Sequence, residues 1–395
     1  MATLTVEHLD LAGKRVFLRA DFNVPLEGGR VAEDTRIRAV LPTIDFCLKA
    51  GASVVLASHL GRPKGKPDER FSLRPVAQRL EELLGRAVPL LPDCAGPVVG
   101  ATTAALKPGE IVLLENLRFH AEEEANDPEF SRGLAGLADV YVNDAFAAAH
   151  RAHASIEGIT HHLQPAAAGL LMQRELEALE RIFERPERPV AAVLGGAKVS
   201  DKLALVEHLL TRVELLLIGG GMAFTFLSAL GYGVGRSLCE ADRLETARAI
   251  LARARSLGVA IRLPVDVVAA PGVDATEGVR TVGVREIPDD LMGLDVGPLT
   301  AAQFTAALKG AKTILWNGPM GVFEKPPFAA GTVGVARAVA GSGAFSVIGG
   351  GDTIAAVQLA GVTDRIGYIS TAGGAFLEFL EGRVLPGVAA LNRAT

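Results

Sequence analysis

Basic side chains recur in the first half of the chain, each close to the end of a short apolar run that predicts a β-strand. The predicted strands are residues 15–20, 53–58, 111–115 and 139–143. Parallel strands of an α/β sheet end at one edge, and ligands bind beyond that edge. The polar side chains that should meet there are Arg19, Asp21, Asn23, His59, Arg62, Arg118 and Arg151. Each alone could be a solvated charge or a helix cap, but gathered cations repel one another unless they hold an anion. Guanidinium groups match phosphate and carboxylate, so the set predicts an anion site.

Glycine takes the same place in the second half, after predicted strands at residues 190–195, 213–219, 260–264, 313–317 and 345–349. The glycine turns lie at residues 195–196, 219–221, 318–321, 349–351 and 373–374. Lys198 and Lys202 follow the first of them, and Asp352 and Thr353 follow the fourth. Glycine lets a backbone approach a ligand, and helix N-termini offer free N–H groups to phosphate. One glycine turn could be purely steric, but five of them predict a nucleotide site.

Several other nucleotide and catalytic motifs are missing. Residues 61–67 lack the spacing and the hydroxyl of a Walker A loop. A nicotinamide-dependent dehydrogenase, the rival enzyme hypothesis, should carry G-x-G-x-x-G after the first strand, where residues 20–25 read Ala-Asp-Phe-Asn-Val-Pro. No protein-kinase, zinc or G-x-S-x-G pattern occurs.

Apolar runs alternate with longer amphipathic stretches, which predicts βα units around parallel sheets. Asp34 should cap a helix that buries Ile37, Leu41, Ile44 and Leu48 and stops at Gly51. Ser72 should cap a second helix, which buries Val76, Leu80 and Leu83. The length of 395 residues predicts two or three domains. A helix-like stretch at residues 169–185, followed by Pro186 and Pro189, predicts a boundary between them.

Composition excludes several classes of protein. The net charge of −5 argues against binding to nucleic acid or to a membrane surface. The three cysteines are far apart, which is typical of a reducing compartment, and the N-terminal residues contain no apolar signal core. Residues 215–235 are uncharged, but their glycines would break a membrane-spanning helix. We therefore expect a cytoplasmic protein.

The motifs resemble those of the phosphoglycerate kinase family along nearly the whole chain. They lie at residues 19–25, 59–65, 115–119, 143–153, 195–202, 219–226, 317–324, 349–353 and 370–375. The resemblance implies an α/β fold with two Rossmann-like domains, each a parallel sheet flanked by helices, joined by a hinge helix. It implies an N-terminal phosphoglycerate-binding domain at 1–168, a hinge helix at 169–185 and a nucleotide-binding domain at 186–379. The last segment, 380–395, would pack back on the N-terminal domain.

The same resemblance implies a glycolytic kinase that catalyses 1,3-bisphosphoglycerate + ADP ⇌ 3-phosphoglycerate + ATP with Mg²⁺, as a monomer whose domains close on both ligands. The residues that resemble the family's phosphoglycerate site are Asp21, Asn23, Arg36, His59, Arg62, Arg118 and Arg151. Those that resemble its catalytic groups are Arg36, Lys198, Gly373 and Gly374. Those that resemble its nucleotide site are Lys202, Gly219, Gly220, Gly293, Glu324, Gly350, Gly351, Asp352 and Thr353. Asp352 would also hold the metal.

One departure falls near this chemistry, because the family's usual glycine triplet reads Ala372-Gly373-Gly374. An added methyl group matters only if residue 372 needs a positive φ or direct contact with the ligand.

A non-catalytic nucleotide-binding protein is the remaining alternative. It should have lost Arg36, Lys198 or Asp352, and all three are present.

Overall fold

A computed structural model describes residues 3–392, which form alternating strands and helices. The strands are β1 (Arg15–Arg19), β2 (Leu26–Glu27), β3 (Arg30–Val31), β4 (Ser53–Ala57), β5 (Ile111–Leu113), β6 (Val140–Asn143), β7 (Ala166–Ala168), β8 (Val190–Leu194), β9 (Leu215–Ile218), β10 (Ala260–Arg262), β11 (Asp266–Ala270), β12 (Arg280–Gly283), β13 (Met292–Val296), β14 (Thr313–Asn317), β15 (Phe345–Gly349) and β16 (Tyr368–Ser370). The helices are α1 (Thr35–Lys49), α2 (Arg74–Leu84), α3 (Pro97–Ala104), α4 (Ala121–Glu124), α5 (Pro128–Ala135), α6 (Leu170–Phe183), α7 (Leu203–Leu209), α8 (Met222–Ala229), α9 (Leu244–Ser256), α10 (Pro298–Leu308), α11 (Ala330–Gly341), α12 (Gly351–Leu359), α13 (Gly374–Leu380) and α14 (Pro386–Leu391).

The first sheet contains five strands in the order β5-β4-β1-β6-β7, and all neighbours are parallel. The chain builds outward from β1 through β4 to β5 and then returns to the other side of β1. The strand order therefore reverses between β1 and β6, and the crevice at such a reversal is where doubly wound folds bind ligands. Every residue of β4 is buried, because helices cover both faces of a parallel sheet.

The second sheet repeats this order with six strands, β10-β9-β8-β14-β15-β16, again all parallel. Its reversal lies between β8 and β14, and both strands are buried along their whole length. The predicted fold class of two Rossmann-like sheets flanked by helices is confirmed by this topology.

A third sheet, β12-β11-β13, is antiparallel and has no counterpart in the sequence prediction. Its register shifts between Val268 and Ala269. Both loops between the three strands contain acidic residues, and the first also contains Gly272 and Gly278. Antiparallel pairing across such loops leaves no local period to recognise.

The chain divides into two compact units. One runs to Leu176 and includes the segment that begins at Val384, and the other is Glu177–Arg383. The division falls inside α6, between the predicted domain limits at 168 and 186. Within the first unit the returning segment is tied down by Gly387, whose N–H donates to the carbonyl of Ala149 at 2.8 Å. The hinge role of α6 stays a prediction.

The capping predictions are partly wrong. Asp34 occupies the N-cap position of α1, but its side chain does not cap the helix. Instead its carboxylate accepts from Nε of Arg38 at 2.9 Å and from Nη2 of Arg79 at 2.7 Å. Charge-assisted hydrogen bonds of this kind are stronger than a bond to a neutral backbone N–H. Leu41 and Leu48 are only partly buried.

The N-cap of α2 is Leu73, so the predicted cap at Ser72 is displaced by one residue. The Ser72 hydroxyl donates to Glu115 at 2.7 Å and accepts from the N–H of Arg74. Within residues 3–392 no helix is long and apolar enough to cross a bilayer, and residues 215–235 include β9 and α8.

Candidate active site

The carboxyl edge of the first sheet gathers basic side chains around Arg19, the last residue of β1. Arg19 is only 1% exposed, and its Nη2 lies 3.2 Å from Nδ1 of His59, which follows β4. Arg118 follows β5, is also buried, and donates from Nη1 to the carbonyl of Gly61 at 2.9 Å. The ends of three neighbouring strands thus bring Arg19, His59 and Arg118 to one place.

The electrostatics of these groups show how closely they converge. Burial lowers the pKa of His59 well below its ordinary value, and the charges of Arg19 and Arg118 lower it further. Burial lowers the pKa of His153 to about 3, with Arg118, Arg19 and Arg151 acting in the same direction. Both imidazoles are therefore neutral at neutral pH. The positive charge of this basic cluster (Arg19, His59, Arg118, Arg151 and His153) comes from its three guanidinium groups.

Arg36 is oriented by two neighbours in the loop after β1. Its Nη1 donates to Oδ2 of Asp21 at 2.9 Å and to the carbonyl of Asn23 at 3.2 Å. Asn23 in turn uses Oδ1 to accept from the N–H of Gly61 at 2.9 Å. The rest of the Arg36 guanidinium is uncommitted within residues 3–392. One connected group therefore contains Arg36, Asp21 and Asn23. In it, Asp21 and Asn23 hold the guanidinium of Arg36 in place.

Two predicted residues are less tightly held. Arg151 donates from Nε to Nε2 of His150 at 3.1 Å. Arg62 is exposed and makes no hydrogen bond or ion pair within the described part of the chain. Its placement in the phosphoglycerate site stays a prediction.

Two buried residues in this region escaped the sequence analysis. Glu123 of α4 is fully buried, and its carboxylate accepts from the backbone N–H and the hydroxyl of Ser155. Glu122, Glu123 and Glu124 are consecutive, a run that normally indicates a solvated helix face. No local signal distinguishes the buried member.

Backbone, not side chains, fills the corresponding edge of the second sheet. A Cβ on Gly318, after β14, would collide with the backbone of Gly195, after β8. Gly220 has φ +66°, and a Cβ there would lie 2.6 Å from the nitrogen of Gly196. A Cβ on Gly219 would strike the sulfur of Met320. These glycines are required because the turns pack against each other, which is the steric explanation that sequence reasoning left open.

A cavity of about 320 Å³ opens beside these turns. Its lining is mostly apolar and includes Phe224, with Gly220, Gly293, Glu324 and Asp352 among the predicted nucleotide residues. Gly293 lies in β13, and any side chain there would collide with the ring of Phe224. The antiparallel sheet that the sequence did not predict therefore supplies a wall of the cavity. An apolar cavity with a few polar groups suits a nucleobase and its sugar.

Lys202 lies at the reversal of the second sheet. Its Nζ contacts Oδ1 of Asn317, the last residue of β14. Burial lowers the pKa of Lys202 to about 8, while Asp201 and Asp352 act in the opposite direction. The lysine is thus a partly buried cation that gains from an added negative charge.

Asp352 is the second residue of α12, and the N-cap position belongs to Gly350, with φ +95°. The Asp352 carboxylate is exposed and makes no hydrogen bond within residues 3–392, so it does not cap the helix. Thr353 is buried, and its Oγ1 accepts from the N–H of Gly318 at 2.8 Å. An exposed carboxylate beside this cavity, with no hydrogen-bond partner among residues 3–392, has the oxygen donors that Mg²⁺ prefers.

The remaining predicted groups lie at a loop and a helix start. Lys198 is exposed and has no hydrogen bond or ion pair in the described part of the chain. Gly373, with φ +52°, is the N-cap of α13, and Gly374 is its first residue. Ala372 is not among the residues with positive φ, so its methyl group does not strain the backbone.

Comparisons with known proteins agree on one family. A family model described as phosphoglycerate kinase matches residues 6–383. The phosphoglycerate kinase of Moorella thermoacetica is 58% identical over 392 residues, which covers 99% of this chain and 100% of that protein. The one from Pelotomaculum thermopropionicum is 57% identical over 391 residues, 99% of each chain.

Solved structures give the same result. Phosphoglycerate kinase from Coxiella burnetii superposes with a TM-score of 0.95 at 44% identity, covering 100% of both chains. The enzyme from Pyrococcus horikoshii superposes with a TM-score of 0.83 at 38% identity and covers 99% of both. The family model, the sequence relatives and the solved structures all agree, and the chain belongs to the phosphoglycerate kinase family.

Proposed function

We propose that the basic cluster at the carboxyl edge of the first sheet, together with Arg36 and Arg62, binds phosphoglycerate in the reaction of this family. The observation that carries the proposal is the convergence of three guanidinium groups with two neutral imidazoles. Phosphate and carboxylate are the anions that guanidinium forks hold best. Neutral imidazoles can still donate hydrogen bonds to the same ligand without adding repulsion among the cations.

We propose that the second unit binds ADP or ATP, with the base and sugar in the cavity beside Gly293 and Glu324 and the phosphates toward Lys202 and Thr353. The free N–H groups at the start of α12, around Gly350 and Gly351, favour phosphate because the helix dipole adds to them. Asp352 would hold Mg²⁺, which when bound screens charge on the nucleotide phosphates.

The chemistry of phosphoryl transfer explains why the candidate site needs cations and does not need a general base. The attacking oxygen belongs to a carboxylate that is already ionised at neutral pH. Catalysis must therefore come from alignment and from stabilising charge on the transferred group. Arg36, Lys198 and the N–H groups at Gly373 and Gly374 are our candidates for that task. Closure of the domains on both ligands stays a prediction, based on the need to exclude water.

The assignment of the first site is tested by Arg118→Ala. Removing one charge-assisted contact should raise the Kd for 3-phosphoglycerate by about 10- to 100-fold, while the Kd for ADP stays within about twofold. Calorimetry of each ligand separately measures both constants. Arg132→Ala is the control, because Arg132 is exposed on α5 and its side chain pairs only with Glu129 among residues 3–392. Equal losses for both ligands would contradict the assignment.

The metal assignment is tested by Asp352→Asn, which preserves shape and removes charge. We expect the Mg²⁺ concentration for half-maximal turnover to rise by about tenfold or more, because carboxylate is the preferred ligand of Mg²⁺. Asp364→Asn, at an exposed position, is the control. Unchanged Mg²⁺ dependence would remove Asp352 from the metal site.

We also propose that the protein is a monomer and that it is cytoplasmic. Both proposals rest on the sequence.

A further inference from the structure

A buried carboxylate lies behind the basic cluster and is not among the residues assigned above. Glu123 is 0% exposed. Its Oε2 accepts from the N–H of Ser155 at 2.9 Å, and its Oε1 accepts from the Ser155 hydroxyl at 2.5 Å. Its own carbonyl accepts from the N–H of Ala154 at 2.9 Å. Three hydrogen bonds thus tie α4 to the segment just after Arg151.

The same serine connects Glu123 to the end of β1. The Ser155 oxygen accepts from Nε of Arg19 at 2.8 Å, and Nη2 of Arg19 lies 3.2 Å from Nδ1 of His59. A continuous buried chain therefore runs from Glu123 through Ser155 and Arg19 to His59. It joins the four segments that carry the basic cluster, since Arg118 lies just before α4 and Arg151 just before Ser155.

The charged groups in this hydrogen-bonded network explain why it matters for the basic cluster. Burial raises the pKa of Glu123, and the charge of Arg19 and the hydrogen bonds of Ser155 act against that rise. Arg19 is itself buried, so each charge needs the other. Removing one partner of a buried ion network leaves an uncompensated charge, which is strongly unfavourable. Without the Glu123 carboxylate, the segments that hold Arg19 and Arg118 lose the buried acceptor to which Ser155 is bound.

We propose that Glu123, acting through Ser155, is a positioning residue of the phosphoglycerate site. It sets the spacing of Arg19, Arg118 and Arg151 before the substrate arrives. The inference rests on the proposed function of the basic cluster. Glu123 does not contact the substrate in this proposal, because its carboxylate is fully buried and hydrogen-bonded to Ser155.

Glu123→Gln tests the inference, with Glu122→Gln as the matched control. The control makes the same change one residue earlier, at an exposed position. Displacing binding groups by about 1 Å can cost about 10²-fold, so we expect Glu123→Gln to raise the Kd for 3-phosphoglycerate by at least about tenfold. The Kd for ADP should stay within about twofold, measured well below the melting temperature. A purely structural role would lower the melting temperature without this selective loss, and that result would overturn the inference.

Ser155→Ala provides the second variant if Glu123→Gln fails to fold. This variant breaks the hydrogen-bonded connection between Glu123 and Arg19 without burying an unpaired amide. It should also weaken the binding of 3-phosphoglycerate selectively. The double variant should lose less than the sum of the two single effects, because both residues act through one network. If Arg118→Ala weakens phosphoglycerate binding but neither variant here does, the positioning role fails alone. If Arg118→Ala also has no effect, the assignment of the site fails with it.

Discussion

The two parallel sheets share one strand order, but they build their ligand edges from different materials. At the carboxyl edge of the first sheet, buried side chains such as Arg19 and His59 are held by other side chains. At the reversal of the second, the glycine turns pack backbone against backbone, as at Gly195 and Gly318. A site made of side chains can be dismantled one contact at a time. A site made of backbone fails when a side chain is added.

This difference also separates how each edge meets an anion. The first edge carries permanent charges on its guanidinium groups, which nearby carboxylates such as Glu124 and Asp21 offset only in part. The second relies on N–H groups at helix starts, with Lys202 as its partly buried cation. The first should therefore be sensitive to the loss of charge, and the second to geometry and to the protonation of one lysine.

The largest expected effect belongs to Arg36→Ala. We expect kcat to fall by about 10²–10³, by analogy with the loss of one donor from an oxyanion hole, while KM for both substrates changes little. The physical reason is that Arg36 is held by Asp21 and Asn23 with part of its guanidinium uncommitted. Steady-state kinetics in a coupled assay of ATP formation measures both constants. A normal kcat with a raised KM would make Arg36 a ground-state ligand. Arg38→Ala, an exposed position on the same helix, is the control.

Gly220→Ala should be the next most damaging change. The added Cβ would lie 2.6 Å from the nitrogen of Gly196, at φ +66°. The left-handed conformation and the collision together should lower the free energy of unfolding by about 3 kcal/mol. Gly231→Ala is the matched control, because Gly231 has φ +89° but nothing within 4 Å of its Cβ position. Urea unfolding of both variants separates the two costs, and equal losses would show that packing at Gly220 is unimportant.

The protonation of Lys202 predicts a pH dependence in the second unit alone. Its pKa is lowered to about 8, so the charged form that attracts phosphate is lost as pH rises through 8. If only the charged form binds, the Kd for ADP should rise about tenfold between pH 7 and pH 9. Lys202→Arg should flatten this profile, because guanidinium stays charged. A profile for ADP that is equally steep in Lys202→Arg would assign the titration to another group.

The smallest effect should come from Ala372→Gly, which restores the family's usual glycine. Residue 372 is not in the left-handed region, so its methyl group does not strain the backbone. The change should leave kcat within about twofold and destabilise the protein by about 0.4–1 kcal/mol, because glycine adds freedom to the unfolded chain. Kinetics and thermal melting check the two parts. A large gain in kcat would mean that the methyl group obstructs the ligand.

The sequence predicted the central strands well, including both ends of β14 and β15. It failed on the antiparallel sheet of β11, β12 and β13, although Gly293, which the resemblance singled out for the nucleotide site, lies in β13 and lines the cavity. Periodicity reports local pattern, and these short strands pair across long loops. The helix predictions erred where a side chain had a better partner at a distance, as Asp34 has in Arg79.

The sequence by itself determined those features that depend only on residues close together along the chain. Short apolar runs specified buried parallel strands, and the polar or glycine-rich turn after each run specified where ligands could bind, because parallel strands end at one edge. Tertiary structure alone decided which charges are buried together. Glu123 and its exposed neighbour Glu122 are chemically identical in the sequence, and only the packing of α4 against Ser155 makes one of them a buried carboxylate linked through Ser155 to Arg19. Burial and pairing depend on segments far apart along the chain, and no short stretch of sequence contains that information.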